Sequence, residues 1–275
     1  MIEVGLTSIA DHPELSAAGK KQSTLADYAG HFPIVEIDTT FYGLKSAATV
    51  AEWQQQVPAR FRFIVKVPSV LTRHHQAAGS EPVDIRATFA TFAESLAPII
   101  ATKQLAAVFF QFPPYFGVDG KNVQYLTAIR QFYPDLPVAI EFRHSSWYAS
   151  QYRKSTLDLM KRLNFIHVVV DEPQTAAASV PMVPVATNAD LTIMRLHGRN
   201  TLGWTNQERK ERTNYTYSQD ELVELATVAQ SLTSKNVVVI FNNNGGGAAA
   251  TNAQAFIDLL GLNFEGLAPT QLDLF

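Results

Sequence analysis

Short runs of β-branched and aromatic residues recur along the chain at 2–7, 34–38, 61–67, 105–112, 137–142, 165–171, 191–197 and 236–242. Each has the length of a strand, and each is largely apolar rather than alternating, the pattern of a strand covered on both faces. Between most of them lie segments of helical character at 47–56, 84–100, 122–133, 150–163, 219–233 and 248–260. Ser218 with Glu221 predicts a capping box at the start of one of these helices, and Gly261 predicts the end of the last. The stretch 172–184 is rich in Ala, Ser and Pro without a clean period, so a helix there is doubtful. Strand starts lie roughly 25 to 45 residues apart, the size of a β/α unit. This order predicts the α/β class, with a single parallel eight-stranded (β/α)8 TIM-type barrel over residues 1–261 and a short tail at 262–275. An open doubly wound sheet shares the periodicity and is the alternative.

Composition narrows the function. The 275 residues carry 22 Lys plus Arg against 25 Asp plus Glu, a net charge of -3, which argues against a protein that coats nucleic acid or an anionic membrane by charge alone. Only 17% of residues are charged, against about 25% in average domains, so a charge inside an apolar run is informative. With no Cys, disulfide scaffolds, thiolate metal sites and Cys nucleophiles are excluded. The N-terminal residues lack the basic-then-apolar order of a signal peptide, and the expectation is a soluble cytoplasmic protein.

In a barrel the site lies where the strands end, and these strands end in polar residues. Residues 34–38 finish with Glu36 and Asp38, and 61–67 carries Lys66. Gln111 ends the fourth run, Glu141 and Arg143 the fifth, Asp171 the sixth, Arg195 and His197 the seventh, and Asn242 the eighth. Pairs spaced by two share one side of a strand. For any single charge, pairing with a neighbour is the plain alternative, but a structural network has no reason to gather at one end of nearly every strand. Lys66, Arg143 and Arg195 suit phosphate or carboxylate oxygens, while Glu36, Asp38, Glu141, Asp171 and His197 suit proton transfer. Strand-end carboxylates can also hold a divalent metal, yet no His-x-x-x-His or Asp-rich loop spacing indicates one, and the cofactor stays unknown. Asn242, Asn243, Asn244 and Gly245 open a glycine run leading into a helix, an arrangement that can hold phosphate, with Arg199 alongside; an ordinary Asn-Gly turn fits equally well by spacing. The long connection after the third strand offers His74, rather than the adjacent His75, as a pocket residue. Tyr42 and Trp147 are candidates for stacking on a ring; for these, as for Trp53, Trp204 and Tyr115, packing is the competing expectation.

The strings Val35-Glu36-Ile37-Asp38-Thr39-Thr40-Phe41-Tyr42, Phe110-Gln111-Phe112-Pro113-Pro114, Ala139-Ile140-Glu141-Phe142-Arg143 with Trp147, Arg195-Leu196-His197-Gly198, and Phe241-Asn242-Asn243-Asn244 with Asn252-Ala253 resemble the YecE-like proteins, known as domain of unknown function 72. The resemblance runs through the whole chain and implies a TIM-type barrel, without implying a reaction or a substrate. It singles out Glu36, Tyr42, Lys66, Gln111, Glu141, Arg143, Arg195, His197, Asn242 and Asn243. One departure is visible: the family's Gly-aromatic pair after the first strand is Ser8-Ile9 in this chain, with Asp11-His12 as a polar substitute in the same loop.

The last five residues, Gln271, Leu272, Asp273, Leu274 and Phe275, resemble the pentapeptide with which bacterial replication and repair proteins dock on the DNA sliding clamp. Packing of this apolar segment on the barrel underside is the alternative. Three functions follow as expectations. The first is a hydrolase-like enzyme acting on a phosphate-bearing ligand at the barrel mouth. The second is a DNA-maintenance factor recruited to the clamp by its tail, and the third is a non-catalytic carbohydrate or metabolite binder.

Overall fold

The structure, a computed structural model, describes residues 1–16, 22–74, 83–174, 179–205 and 209–269. His75 and the pentapeptide 271–275 lie outside the described residues. Eight parallel strands close into a barrel in sequence order. They are β1 (Ile2–Thr7), β2 (Ile34–Ile37), β3 (Arg62–Lys66), β4 (Leu105–Gln111), β5 (Val138–Glu141), β6 (Ile166–Asp171), β7 (Leu191–Leu196) and β8 (Asn236–Phe241). Each lies within the corresponding apolar run. The step that separates a barrel from an open sheet is the pairing of β1 with β8, from Ile2 opposite Val237 to Leu6 opposite Phe241.

Burial explains why these runs form strands. Ile64, Val65, Val108, Ile140, Val238 and Val239 are fully buried, and each large apolar side chain withdrawn from water contributes about 1.5–3 kcal/mol. Gly5 is required where β1 meets β2, since a Cβ there would lie 2.2 Å from the Ile34 carbonyl oxygen.

The helices follow their caps. Ser218 and Glu221 form the expected capping box at the start of Gln219–Ser231, and Gly261 ends Ala249–Leu260 in the left-handed conformation, φ 60°. The helix expected over 84–100 is two, Ile85–Ser95 and Ala97–Ala101, with Pro98 in the first turn of the second. Proline lacks the N–H that a continuous helix needs in its interior. No helix is present in the described part of 172–184. The β7–β8 connection contains two short helices, Thr201–Thr205 and Arg209–Arg212, ahead of Gln219–Ser231. After Gly261 the chain packs Leu262, Phe264 and Ala268 against the core. The Ala268 N–H donates to Ala29 O, and Glu265 pairs with Arg60 at 3.5 Å. Both contacts are with segments leading into β2 and β3, at the end of the barrel opposite the strand C-termini. Among the described residues no helix is long and apolar enough to cross a membrane.

Candidate active site at the strand C-termini

The i, i+2 spacing at the strand ends builds two tiers. In the lower tier Glu36 from β2, Glu141 from β5 and Arg195 from β7 meet inside the barrel, each no more than 2% exposed. The Arg195 guanidinium grips Glu36 with two bonds, Nε to Oε2 at 2.8 Å and Nη2 to Oε1 at 2.7 Å, while Nη1 reaches Glu141 Oε2 at 3.4 Å. Strand register supplies further partners. Gln111 lies opposite Glu141 and donates to its Oε1 at 2.6 Å; Thr7 lies opposite Glu36 and donates at 3.4 Å. Burial pushes Glu36 up to about 7 against the attraction of Arg195. Burial acts on Glu141 in the same direction, but Arg195 first, and Arg143 with it, hold it well below the usual carboxylate range.

The upper tier lies one step along the same strands and faces an open cavity of about 620 Å³. Asp38 stands 3.5 Å from Lys66 Nζ, which also sits over the Phe41 ring. Arg143 is held by Glu141 Oε1 at 3.1 Å and Glu172 Oε2 at 3.1 Å, with its guanidinium 4.9 Å from the centre of the Trp204 ring. His197 Nδ1 meets the Asn242 amide nitrogen at 2.8 Å. Nε2 meets two nitrogens that can only donate, Arg143 Nη1 at 3.1 Å and Arg195 Nη1 at 3.2 Å, so it accepts and the neutral ring carries its proton on Nδ1, toward an Asn242 amide turned to present its oxygen. Burial pushes the imidazole down to about 3, so it is neutral at physiological pH.

Most residues singled out from the sequence converge here. Asp38, Tyr42, Lys66, His74 and Gln111 line the cavity from β2 to β4. Arg143, Arg195, His197, Asn242, Asn244 and Gly245 line it from β5 to β8. Glu36 and Glu141 sit behind this lining, as counter-charges to the guanidiniums.

Four expected roles are corrected by position. Trp147 is fully buried, stacked 4.2 Å from Phe142, and its indole N–H donates to Phe116 O, so it does not face the cavity. Asp171 and Arg199 form a separate cluster, with Arg199 Nη2 at 2.9 Å from Asp171 Oδ1, Tyr217 OH at 2.7 Å from Oδ2, and Glu224 on the far side of the guanidinium. Asn243 is fully buried and braces the chain by donating to Tyr215 O and Asn252 Oδ1. The glycine run offers an anion no more than part of an amide cradle, because Gly245 N–H donates to Thr213 O and Gly247 N–H to Asn244 O.

The structure brings the loop candidates Trp204 and Asp11 to the cavity wall and adds Arg212 and Ser8 there, with Glu172 behind Arg143. Glu172 was detectable as the neighbour of a strand-end acid. Arg212 had no such signal, since it belongs to a four-residue helix too short to show a period. Of the polar pair in the β1 loop, Asp11 reaches the cavity, while His12 is buried with Nε2 3.0 Å from Thr7 O. Among the described residues no group of three or more His, Cys, Asp or Glu side chains is arranged to hold a metal ion.

Residues 4–273 match the family described as Protein of unknown function DUF72. The chain belongs to the DUF72 family. Its DUF72 relatives include the UPF0759 protein YunF of Bacillus subtilis (strain 168), 41% identical over 287 aligned positions with the full length of both chains covered. The UPF0759 protein YecE of Escherichia coli (strain K12) is 32% identical over 58% of this chain and 54% of its own. A DUF72 family protein of Enterococcus faecalis V583 has the same fold with a TM-score of 0.91 at 42% identity, over 99% of this chain and 100% of that one. Another, from Thermotoga maritima MSB8, aligns with a TM-score of 0.78 at 30% identity, over 95% of this chain and 100% of its own.

Proposed function

We propose that this DUF72 protein is a hydrolase-like enzyme that binds a phosphate-bearing ligand in the strand-end cavity. The observation that carries this reading is the order of charges by depth. Lys66, Arg143, Arg195 and Arg212 line the cavity with Asp11 and Asp38 as the acids beside them, whereas Glu36, Glu141 and Glu172 stand behind the guanidiniums. On the Arg143 side an incoming anion therefore meets donors already fixed in direction by their buried partners. Arg143 and Lys66 take the phosphate oxygens and Arg195 supplies charge from the floor. Asp38, the strand-end carboxylate facing the cavity, accepts the proton of the attacking water. His197, neutral and held by Asn242, orients the site rather than carrying charge. Titration calorimetry with inorganic phosphate and a panel of phosphate esters, followed by a phosphate-release assay, tests this. Binding is expected to weaken at least tenfold in Arg143→Ala, and turnover to fall about 100-fold in Asp38→Asn, the scale of general-base loss. The reading is lost if neither phosphate, sulfate nor any ester binds.

A second reading concerns a partner and is supported by the route of the chain. Ala268 is bonded to Ala29 at the end of the barrel opposite the cavity, so a clamp held by 271–275 would leave the mouth open. Calorimetry of the whole protein with a bacterial sliding clamp, compared with a Leu272→Ala/Phe275→Ala variant, decides it; equal or absent binding in both ends this reading.

A further inference from the structure

The cavity wall is not uniform around its circumference. In a closed ring of eight strands β1 stands across from β5, and β3 across from β7. Three of the cationic donors gather on one side, Arg143 and Arg195 from β5 and β7 and Arg212 from the β7–β8 connection, while Lys66 of β3 stands beside Asp38. The facing arc, formed by the ends of β8, β1 and β2, carries acceptors and small polar groups: Asn244, Thr7, Ser8, Asp11 and Asp38. Asp11 Oδ2 takes the Asn244 amide at 2.8 Å, which fixes both side chains at the wall. Asp38 Oδ1 is enclosed and faces Lys66 Nζ at 3.5 Å, so that oxygen is turned to the lysine. The carboxylate and amide oxygens of Asp11 and Asn244 on this wall accept hydrogen bonds, which suits a ligand that donates them. Tyr42 lies on the same arc at the mouth, 69% exposed, with Phe41 edge-on to its ring at 5.3 Å. Such a ring can cover the C–H face of a saturated ring while its hydroxyl stays wet. The cavity volume, about 620 Å³, is within the range of small-molecule sites.

Building on the phosphate reading, we propose that the ligand is a phosphorylated sugar, with its phosphate between Arg143 and Lys66 and its hydroxyls on the Asp11 and Asn244 arc. The arc then sets specificity: the donors hold any phosphate ester, and the acceptors select esters whose organic part carries hydroxyls. A site built to bond hydroxyls discriminates against an analogue without them, because its own polar groups are then buried unpaired.

The experiment is titration calorimetry of the full-length protein with four probes: glucose 6-phosphate, ribose 5-phosphate, n-hexyl phosphate and methyl glucoside. At least one sugar phosphate is expected to bind about tenfold or more tighter than n-hexyl phosphate, the discrimination a hydroxyl-bonding site gives. In Asp11→Ala/Asn244→Ala that advantage is expected to shrink by about fivefold or more, with n-hexyl phosphate affinity unchanged and the thermal midpoint verifying the fold. Equal affinity for n-hexyl phosphate and both sugar phosphates overturns the sugar assignment and leaves the phosphate reading standing. Methyl glucoside binding as tightly as glucose 6-phosphate overturns the phosphate reading instead, and with it the phosphorylated class. Absence of binding by all four overturns both.

Discussion

Arg195 combines two duties that pull its chemistry in opposite directions. It faces the cavity, yet its guanidinium is 2% exposed and compensates Glu36 and Glu141, neither of which has access to water. Removing one partner of a buried ion pair leaves the other charge uncompensated, at a cost of about 3–5 kcal/mol. Arg195→Met is therefore expected to lose about that much in urea denaturation, and adding Glu36→Gln is expected to recover part of it. If the single variant is as stable as the parent, Arg195 is not the keystone of the lower tier. Ser8 makes a smaller claim. It takes φ 68° just after β1, a left-handed conformation that costs a non-glycine residue about 1–2 kcal/mol. This is the position where the chain departs from the family's glycine. Ser8→Gly is expected to stabilise by up to about 1 kcal/mol, since glycine relieves the strain but loses more freedom on folding; a lowered urea midpoint would contradict it. The inward pairs Glu36/Asp38, Glu141/Arg143 and Arg195/His197 were legible because alternation along a strand is local. Which member of each pair lies deeper follows from its height in the barrel, and that was not.

At the level of elements, strands and long helices were readable within a residue or a few, and the loops that complete the site were not. Thr201–Thr205 and Arg209–Arg212 are too short to carry a hydrophobic period. They are held instead by particular contacts: Asn200 donates to Glu211 O at 2.8 Å and to Asn214 O at 3.1 Å, and accepts from Gly203 N–H. Gly203 is the close approach that permits this, because a Cβ would lie 2.2 Å from Glu211 O. The pair of helices places Trp204 over Arg143 at 4.9 Å and next to Arg212 at 5.5 Å. Gly203→Ala must push the two backbones apart, an overpacking of about 1–3 kcal/mol, and Trp204 sits at the point of displacement. The expected result is a changed tryptophan emission together with weaker phosphate binding, and the emission change should vanish in a Trp204→Phe background. Unchanged emission and affinity would mean that this hairpin does not position Arg143.

Across the whole molecule, closure by β1 against β8 was beyond periodicity, because an open sheet and a barrel have the same local pattern. Closure brings acids from β2, β5 and the end of β6 around two arginines, and their ionisation shapes stability against pH. Glu172, 1% exposed, accepts from Val180 N–H at 2.7 Å on one oxygen, while the other stands 3.1 Å from Arg143 without hydrogen-bond geometry. Burial pushes it up to about 7 from the ordinary 4.5, with Arg143 opposing. A carboxyl raised on folding holds its proton in the native state after the unfolded chain has released it. Between 4.5 and about 7, then, the unfolded state binds fewer protons and stability falls as pH rises. Glu36 acts in the same direction, whereas Glu141, held low, contributes stability at neutral pH that is lost in acid. Glu172→Gln keeps the acceptor for Val180 and removes the titration. Its stability relative to the parent is expected to climb from pH 4.5 to 7, by about 1.4 kcal/mol per unit at most, and then to level off. Urea denaturation of both proteins at pH 4.5, 6 and 8 checks this, and a difference that is the same at all three values would mean that Glu172 ionises as it would in water.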